Sequence, residues 1–235
     1  MGIVTTPALI WADIRYKAQK KGFLRACRFA ARRMTWPDVF HFQRLYVLSR
    51  PILPDVPDLQ PDVPITFRLA TQDDLPLLAQ IHEYPSEQKD VADKLRRGDL
   101  VILAFHDEDG QERLVGHHMA SLWRETPIPH EIDLVEISRH FELNEQDAYT
   151  HNFLVIPAYR GLRVAAPMGF ALMRVLYERG YRRIFTTIAV NNEPSLRASR
   201  RMGSRVVARM DSLQAPGWRH IWTTLLEHDP LAGES

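Results

Sequence analysis

The residues most suited to chemistry lie in one stretch, from Tyr149 and His151 through Leu154-Val155-Ile156-Pro157-Ala158-Tyr159-Arg160-Gly161-Leu162-Arg163-Val164-Ala165. Its first part, Tyr149 to Ile156, is apolar and β-branched enough to be a strand. The continuation, Ala166 to Glu178, carries Phe170, Met173, Leu176 and Tyr177 at helical spacing before Gly180 offers a stop. A strand therefore hands over to a helix across a turn rich in backbone donors. The first N–H groups of a helix have no intrahelical partner, and the aligned peptide dipoles make that end about half a unit positive. Such a junction suits a diphosphate. Pro167 fits an early helical position, where no donor is needed, and Arg160 and Arg163 add full charges for phosphate oxygens.

Proton transfer near neutral pH points first to histidine. His151 lies four residues before Val155, so the two-residue strand period places it on one face with Tyr149, Phe153 and Val155. A proton acceptor and a structural histidine with a satisfied hydrogen bond both stand open at this position. His117 and His118 are adjacent, so one faces each side of their strand; one is expected at an acceptor pocket and the other at the surface. No histidine pair at helical ligand spacing and no cysteine cluster points to a metal, and none is expected. Glu131, Asp133 and Glu136 alternate as an acidic strip, which reads equally as a lure for a cationic acceptor or as a solvated strand edge.

The turn at Arg160 to Ala165 resembles motif A of the GNAT superfamily of acyl-CoA-dependent N-acetyltransferases, Arg/Gln-x-x-Gly-x-Gly/Ala behind a hydrophobic strand and a Val-x-Pro. Arg163 stands where that pattern has its middle glycine, a change that either narrows the diphosphate cradle or adds a cation to it. Downstream, Asn192, Ser195 and Gly203 match the family's motif B, an Asn-x-x-Ala/Ser followed by a short helix. Ser199 takes the place of the usual helix tyrosine and Ser204 that of the usual phenylalanine.

This resemblance implies a donor acyl-CoA, acetyl or a short acyl group, and an amine that attacks its thioester directly in a ternary complex. It implies cofactor contacts from the backbone near Leu154 and Val155, from Arg160, Gly161, Leu162, Arg163, Val164 and Ala165, and from Asn192. It implies His151 as base, with Tyr149 as its neighbour, and Ser199 at the thiolate. The expected function is N-acyl transfer to a small-molecule amine. Two other readings stand beside it: a donor that is an acyl carrier protein or long-chain acyl-CoA, and a non-catalytic acyl-CoA-binding module.

The elements around these motifs give the expected architecture. Ile65 to Leu69 reads as a strand, Thr71 to Asp74 as a helix cap leading into Leu75 to His82, and Glu87 to Arg97 as a second helix. Val101 to His106 and Leu114 to Trp123 alternate as a hairpin around Asp107 to Gly110, and Thr186 to Val190 reads as a strand ahead of motif B. The order matches an α/β (α+β) GNAT-like fold with a mixed, mostly antiparallel sheet flanked by helices.

Charge divides the chain. Residues 1–50 carry a net +8, with ten Lys and Arg against Asp13 and Asp38, and leave −7 for the remainder of a chain whose total is +1. Five prolines fall within residues 51–64. The expected organisation is a basic helical extension over 1–50, helical from about Pro7 to Arg33, a Pro-rich connector over 51–63, a catalytic domain over 64–228 and a loose tail over 229–235. The basic arm either packs on the domain as a solvated face or meets an acidic partner such as an acyl carrier protein. No nucleic-acid motif and no apolar run long enough for a membrane span are present, and the single Cys27 fits a reducing compartment, so the cytoplasm is the expected location. Trp218 and Trp222 read either as a homodimer contact or as a core edge.

Overall fold

The computed structural model describes residues 7–21, 41–108, 110–122, 137–215 and 218–232. Eight strands form one sheet: β1 (His41–Pro51), β2 (Ile65–Leu69), β3 (Leu100–Glu108), β4 (Gln111–Leu122), β5 (Asp147–Val155), β6 (Arg183–Ala189), β7 (Arg205–Ala215) and β8 (Trp218–Leu225). Their order is β2-β3-β4-β5-β6-β1-β7-β8. Among the described residues only β5 and β6 run parallel; the other neighbours are antiparallel.

Among the described residues the helices with both ends defined are α1 (Pro7–Lys21), α2 (Leu75–Ile81), α3 (Pro85–Arg97), α4 (Ala165–Glu178) and α5 (Glu193–Arg201). Each of the later helices has a local start or stop. Arg68 forks onto the Asp74 carboxylate at 2.8 and 2.6 Å, and Thr71 N–H donates to the same group at 2.7 Å, fixing the turn into α2. Those bonds, the arginine's first, hold the Asp74 carboxyl down at about 2. Gly98 ends α3 in the left-handed region at φ +101, which glycine adopts at little cost. Asn192 caps α5 by accepting from Ser195 N–H.

Alternation along the central strands builds two cores. Leu100, Ile102, Ala104, Val115, Ala120, Leu122 and Ala148 face α4, whose Met168, Leu172 and Leu176 are fully buried among them. Val101, Leu103, Phe105 and Met119 face the other way, against Leu78 of α2 and Val91 and Leu95 of α3. Burying one such large side chain contributes roughly 1.5–3 kcal/mol, so this clamp holds β3, β4 and β5 in place for the site they carry.

Residues 41–50, expected within a basic helical extension, form β1 together with Pro51, in the interior of the sheet between β6 and β7. The period-two pattern is the reason: Leu45 and Val47 enter one buried cluster while Leu48, on the opposite face, enters another. Two of the arm's cations have partners in the fold, Arg44 while itself exposed and Arg50 half-buried. Arg44 donates to the buried Asp211 at 2.6 Å, and the Arg50 guanidinium lies 5.0 Å from the Phe170 ring centre, where burial lowers it to about 10. The connector is also not free, since Ile52 is buried in the core and Asp62 N–H donates to Leu162 at 3.1 Å.

Helix α1 packs on the start of α3. Buried Asp13 accepts from Ser86 N–H at 3.1 Å and from Ser86 Oγ at 2.7 Å, placing a carboxylate at the positive end of that helix. Residues 22–40, including the expected continuation to Arg33 and Cys27, lie outside the described residues, as do Glu131, Asp133 and Glu136. The expected loose tail begins as an ordered turn: Asp229 accepts from Val206 N–H and Leu231 N–H, and Leu231 packs against the cluster containing Leu48 and Ile188. Trp218 and Trp222 are exposed at 53% and 38% on the edge strand β8, so neither is a core residue.

Candidate functional site

The parallel pairing of β5 with β6 covers only Asp147 to Thr150. Strand β5 nonetheless continues to Val155, held by β4, whose Gly116 is opposite Val155. The departure coincides with a bulge, where the β4–β5 register shifts between His117 and Met119 and Asn152 takes φ +46. Beyond Thr150 one edge of β5 is thus open. Ile156 N–H donates to Val115 on β4, so alternation turns the Leu154 amide toward β4 and the Val155 amide toward the opening. The Val155 carbonyl on that edge accepts Arg160 Nε at 3.0 Å. Of the two backbone donors expected from sequence, Val155 is the one facing the gap.

The turn that follows is anchored by side chains and leaves its amides bare. Buried Tyr159 donates its hydroxyl proton to Glu108 at 2.5 Å and stands 2.8 Å from His106 Nδ1, tying the turn to β3. Val164 is buried and Leu162 packs on the same core. Gly161 and Arg163 both take positive φ, +87 and +53. None of the amides of Gly161, Arg163 and Val164 donates to another described residue, and the first-turn amides of Ala165 and Ala166 precede the helix's first bond, Met168 N–H to Val164. These five donors and the positive end of α4 sit together.

Arg163 preserves the backbone shape that a glycine would adopt freely. Its guanidinium is 78% exposed, with Nε 3.5 Å from Asp62. Of the two expectations for this residue, a narrowed cradle or an added cation, the side-chain position fits neither, because it is directed to the connector. Arg160 is likewise engaged, as the brace on the Val155 carbonyl.

His151 is the first residue past the last β5–β6 pair. Its Nε2 lies 2.9 Å from Ser121 Oγ and 3.2 Å from Asp99 Oδ2, and Ser121 Oγ lies 2.9 Å from that same oxygen. Arg97 donates to Asp99 at 2.8 Å. Burial pushes the Asp99 carboxyl up, but the bonds from His151 and Arg97 outweigh it and hold the group below the usual carboxylate range. His151 Nδ1 is buried without a hydrogen-bond partner among the described residues. Tyr149 stacks on the His151 ring at 5.7 Å, and its hydroxyl is engaged by Thr187 at 2.7 Å.

Neither His117 nor His118 is at the surface, contrary to the expectation for one of them: they are 0% and 9% exposed. Helices cover both faces of the sheet here, so alternation moves a side chain from one interior to another. His117 Nε2 meets His82 Nε2 at 2.9 Å, and His118 packs edge-on against Phe153. Burial lowers both, His117 well below the ordinary range and His118 to about 3, so both rings are neutral near pH 7. Among the described residues no group of three or more His, Cys, Asp or Glu side chains converges as metal ligands.

Ser199 is buried on the inward face of α5 beside Leu196, whereas Asn192 stands exposed at that helix's start. Sequence reasoning missed Asp99, Ser121 and Gly116. Asp99 directly follows the helix-ending Gly98, and Ser121 shares a β4 face with Met119, but neither signal indicates that they meet His151.

The acetyltransferase (GNAT) family model matches residues 68–203. No curated protein matches the chain in sequence. Among solved structures, a glucosamine N-acetyltransferase region of a fungal multi-domain β-N-acetylglucosaminidase is similar in fold, with TM-score 0.55 and 15% identity, over 86% of this chain and 22% of that one. A GCN5-related N-acetyltransferase from Sphaerobacter thermophilus gives TM-score 0.51 at 15% identity over 87% of this chain and 59% of its own, and a Drosophila protein gives 0.50 at 12% over 87% and 58%. The chain thus spans less than two thirds of the length of each. The family match extends over more than half of the chain and includes the opening of β5 and the turn into α4, and the chain belongs to the acetyltransferase (GNAT) family.

Proposed function

We propose that this protein transfers an acyl group, acetyl or another short one, from acyl-CoA to the amine of a small molecule. The observation that carries the reading is the opening of β5 away from β6, with the Val155 amide facing the gap at its edge and the unpaired amides of Gly161 and of Arg163 to Ala166 at its end. Those amides suit a diphosphate, and the Val155 N–H suits the donor's amide-bearing arm or a developing oxyanion. Bound there, the acyl-CoA supplies the activated thioester carbon.

The chain's own residues take the proton. The acceptor enters as an ammonium, loses one proton to His151, forms its C–N bond to the thioester carbon as the C–S bond breaks, and passes its second proton to the departing thiolate, directly or through water at Ser199. Tyr149 backs the His151 ring. The fungal region, a glucosamine N-acetyltransferase, supports an amine substrate of modest size.

Calorimetric titration with acetyl-CoA and CoA tests the reading, followed by turnover against an amine panel. Micromolar binding of both and acyl transfer to a member of the panel are expected. Absence of binding to both acetyl-CoA and CoA overturns it.

A further inference from the structure

The cluster behind His151 has a proton arrangement that its geometry dictates. Asp99, held ionised by Arg97, accepts only. Ser121 has a single proton and lies 2.9 Å from Asp99 Oδ2, so that proton goes to the carboxylate. The serine oxygen can then only accept from His151, 2.9 Å away, and Asp99 Oδ2 at 3.2 Å can likewise only accept. Both neighbours of Nε2 require it to carry the hydrogen. A neutral imidazole has one N–H, so Nδ1 is left with its lone pair. That nitrogen is the one buried without a partner. This tautomer is assigned from the network.

We infer that Asp99 and Ser121 are positioning residues that fix His151 in the Nε2–H tautomer and so present Nδ1 as the atom that takes the proton from the acceptor ammonium. The inference rests on the proposed amine acylation and specifies how its base is held. The acid and the hydroxyl come from two different elements, Asp99 from the α3–β3 junction and Ser121 from β4, and converge on the first residue of β5 that β6 releases. After proton uptake the imidazolium keeps Nε2–H toward Asp99, and the positive charge faces a buried carboxylate. The other groups facing the ring are Tyr149 in stacking contact, and His117 and His118, which act on it through the interior, His117 also feeling Lys94.

The tautomer is read directly on the full chain by long-range ¹H–¹⁵N correlation at neutral pH on protein labelled at histidine nitrogen, with His151→Gln identifying the signal. The expected pattern is a protonated Nε2 and a bare Nδ1. Asp99→Asn replaces an obligate acceptor by a group that can donate, and is expected to move the proton to Nδ1. Ser121→Ala leaves the direct Asp99 contact and is expected to keep it on Nε2. With acetyl-CoA and the best amine of a panel containing glucosamine, spermidine and tyramine, Asp99→Asn should lower kcat by on the order of 10²-fold with KM little changed. Asp99→Glu, which keeps the acceptor, should recover part of that loss.

A wild-type His151 protonated at Nδ1 overturns the inference, as does Asp99→Asn with an unmoved proton or with undiminished kcat. His151→Gln with wild-type turnover sinks the proposed base itself, an outcome independent of the tautomer.

Discussion

Gly116 on β4 lies so close to Leu154 on β5 that a Cβ on the glycine would stand 2.6 Å from the Leu154 carbonyl oxygen. The contact is backbone to backbone, so no side chain can give way. Gly116 sits opposite Val155, the residue whose amide faces the opening. Gly116→Ala is expected to push the two strands apart, costing about 1–3 kcal/mol of stability and weakening acetyl-CoA binding together. Chemical denaturation and calorimetry on one preparation check this; a variant with unchanged stability and affinity contradicts it.

Arg160 braces the Val155 carbonyl through Nε at 3.0 Å. Its loss removes a charge near the turn proposed to hold the diphosphate and frees that end of β5. Arg160→Ala should weaken CoA binding by roughly 1.5–3 kcal/mol, the range for a charge-assisted hydrogen bond. Arg160→Lys keeps the charge without the fork and should recover only part of it. An unchanged dissociation constant in Arg160→Ala removes the arginine from the site.

Much of this arrangement was legible in the chain. Strand, turn and helix over Tyr149 to Glu178 announce themselves because apolar periodicity changes from two to 3.6 across a proline and a glycine. Asn192 was readable as the start of the motif B helix because its side chain bonds locally, to Ser195. Strand β1 is hidden because the ten cations of residues 1–50 dominate that segment and mask the short alternation at Leu45 to Leu48. Its partners, β6 and β7, lie more than a hundred residues on, and no local signal encodes such a pairing. The Asp99–Ser121–His151 convergence is hidden for the same reason: its members are 22 and 30 residues apart and meet only through sheet register.

Arg163 holds φ +53, a shape that costs a residue with a Cβ roughly 1–2 kcal/mol and glycine almost nothing. Its side chain is exposed, so little packing is lost on truncation. Arg163→Gly should therefore be more stable than Arg163→Ala by about 1 kcal/mol, a melting difference of about 2–4 °C for a chain of this size. Acetyl-CoA affinity should change little in either variant. A large gain in affinity with glycine would mean that the guanidinium obstructs the turn.

Ser199 is buried on α5, and its hydroxyl is a weak acid. Since a thiolate leaves without much assistance, Ser199→Ala is expected to reduce kcat by less than about tenfold, in line with one lost neutral hydrogen bond. Steady-state kinetics on folded variant decide this; complete loss of turnover would give the serine a larger part.

Burial holds His118 at about 3 and His117 well below its ordinary value, so folding keeps both rings neutral while the unfolded chain would protonate them near 6.5. The unfolded state therefore binds more protons between those limits, and stability must rise with pH across that window. The contribution is complete above about pH 6.5 and drains away as pH falls toward 3. For His118 alone the loss by pH 5 is about 2 kcal/mol, from one and a half pH units of unequal protonation. Denaturation midpoints at pH 7.5 and pH 5 should thus differ clearly in the wild type. In His118→Leu, which fills the space beside Phe153 without a titrating ring, the gap should shrink. An equal gap in both proteins would show that His118 is protonated in the folded state and that some other group sets the acid sensitivity.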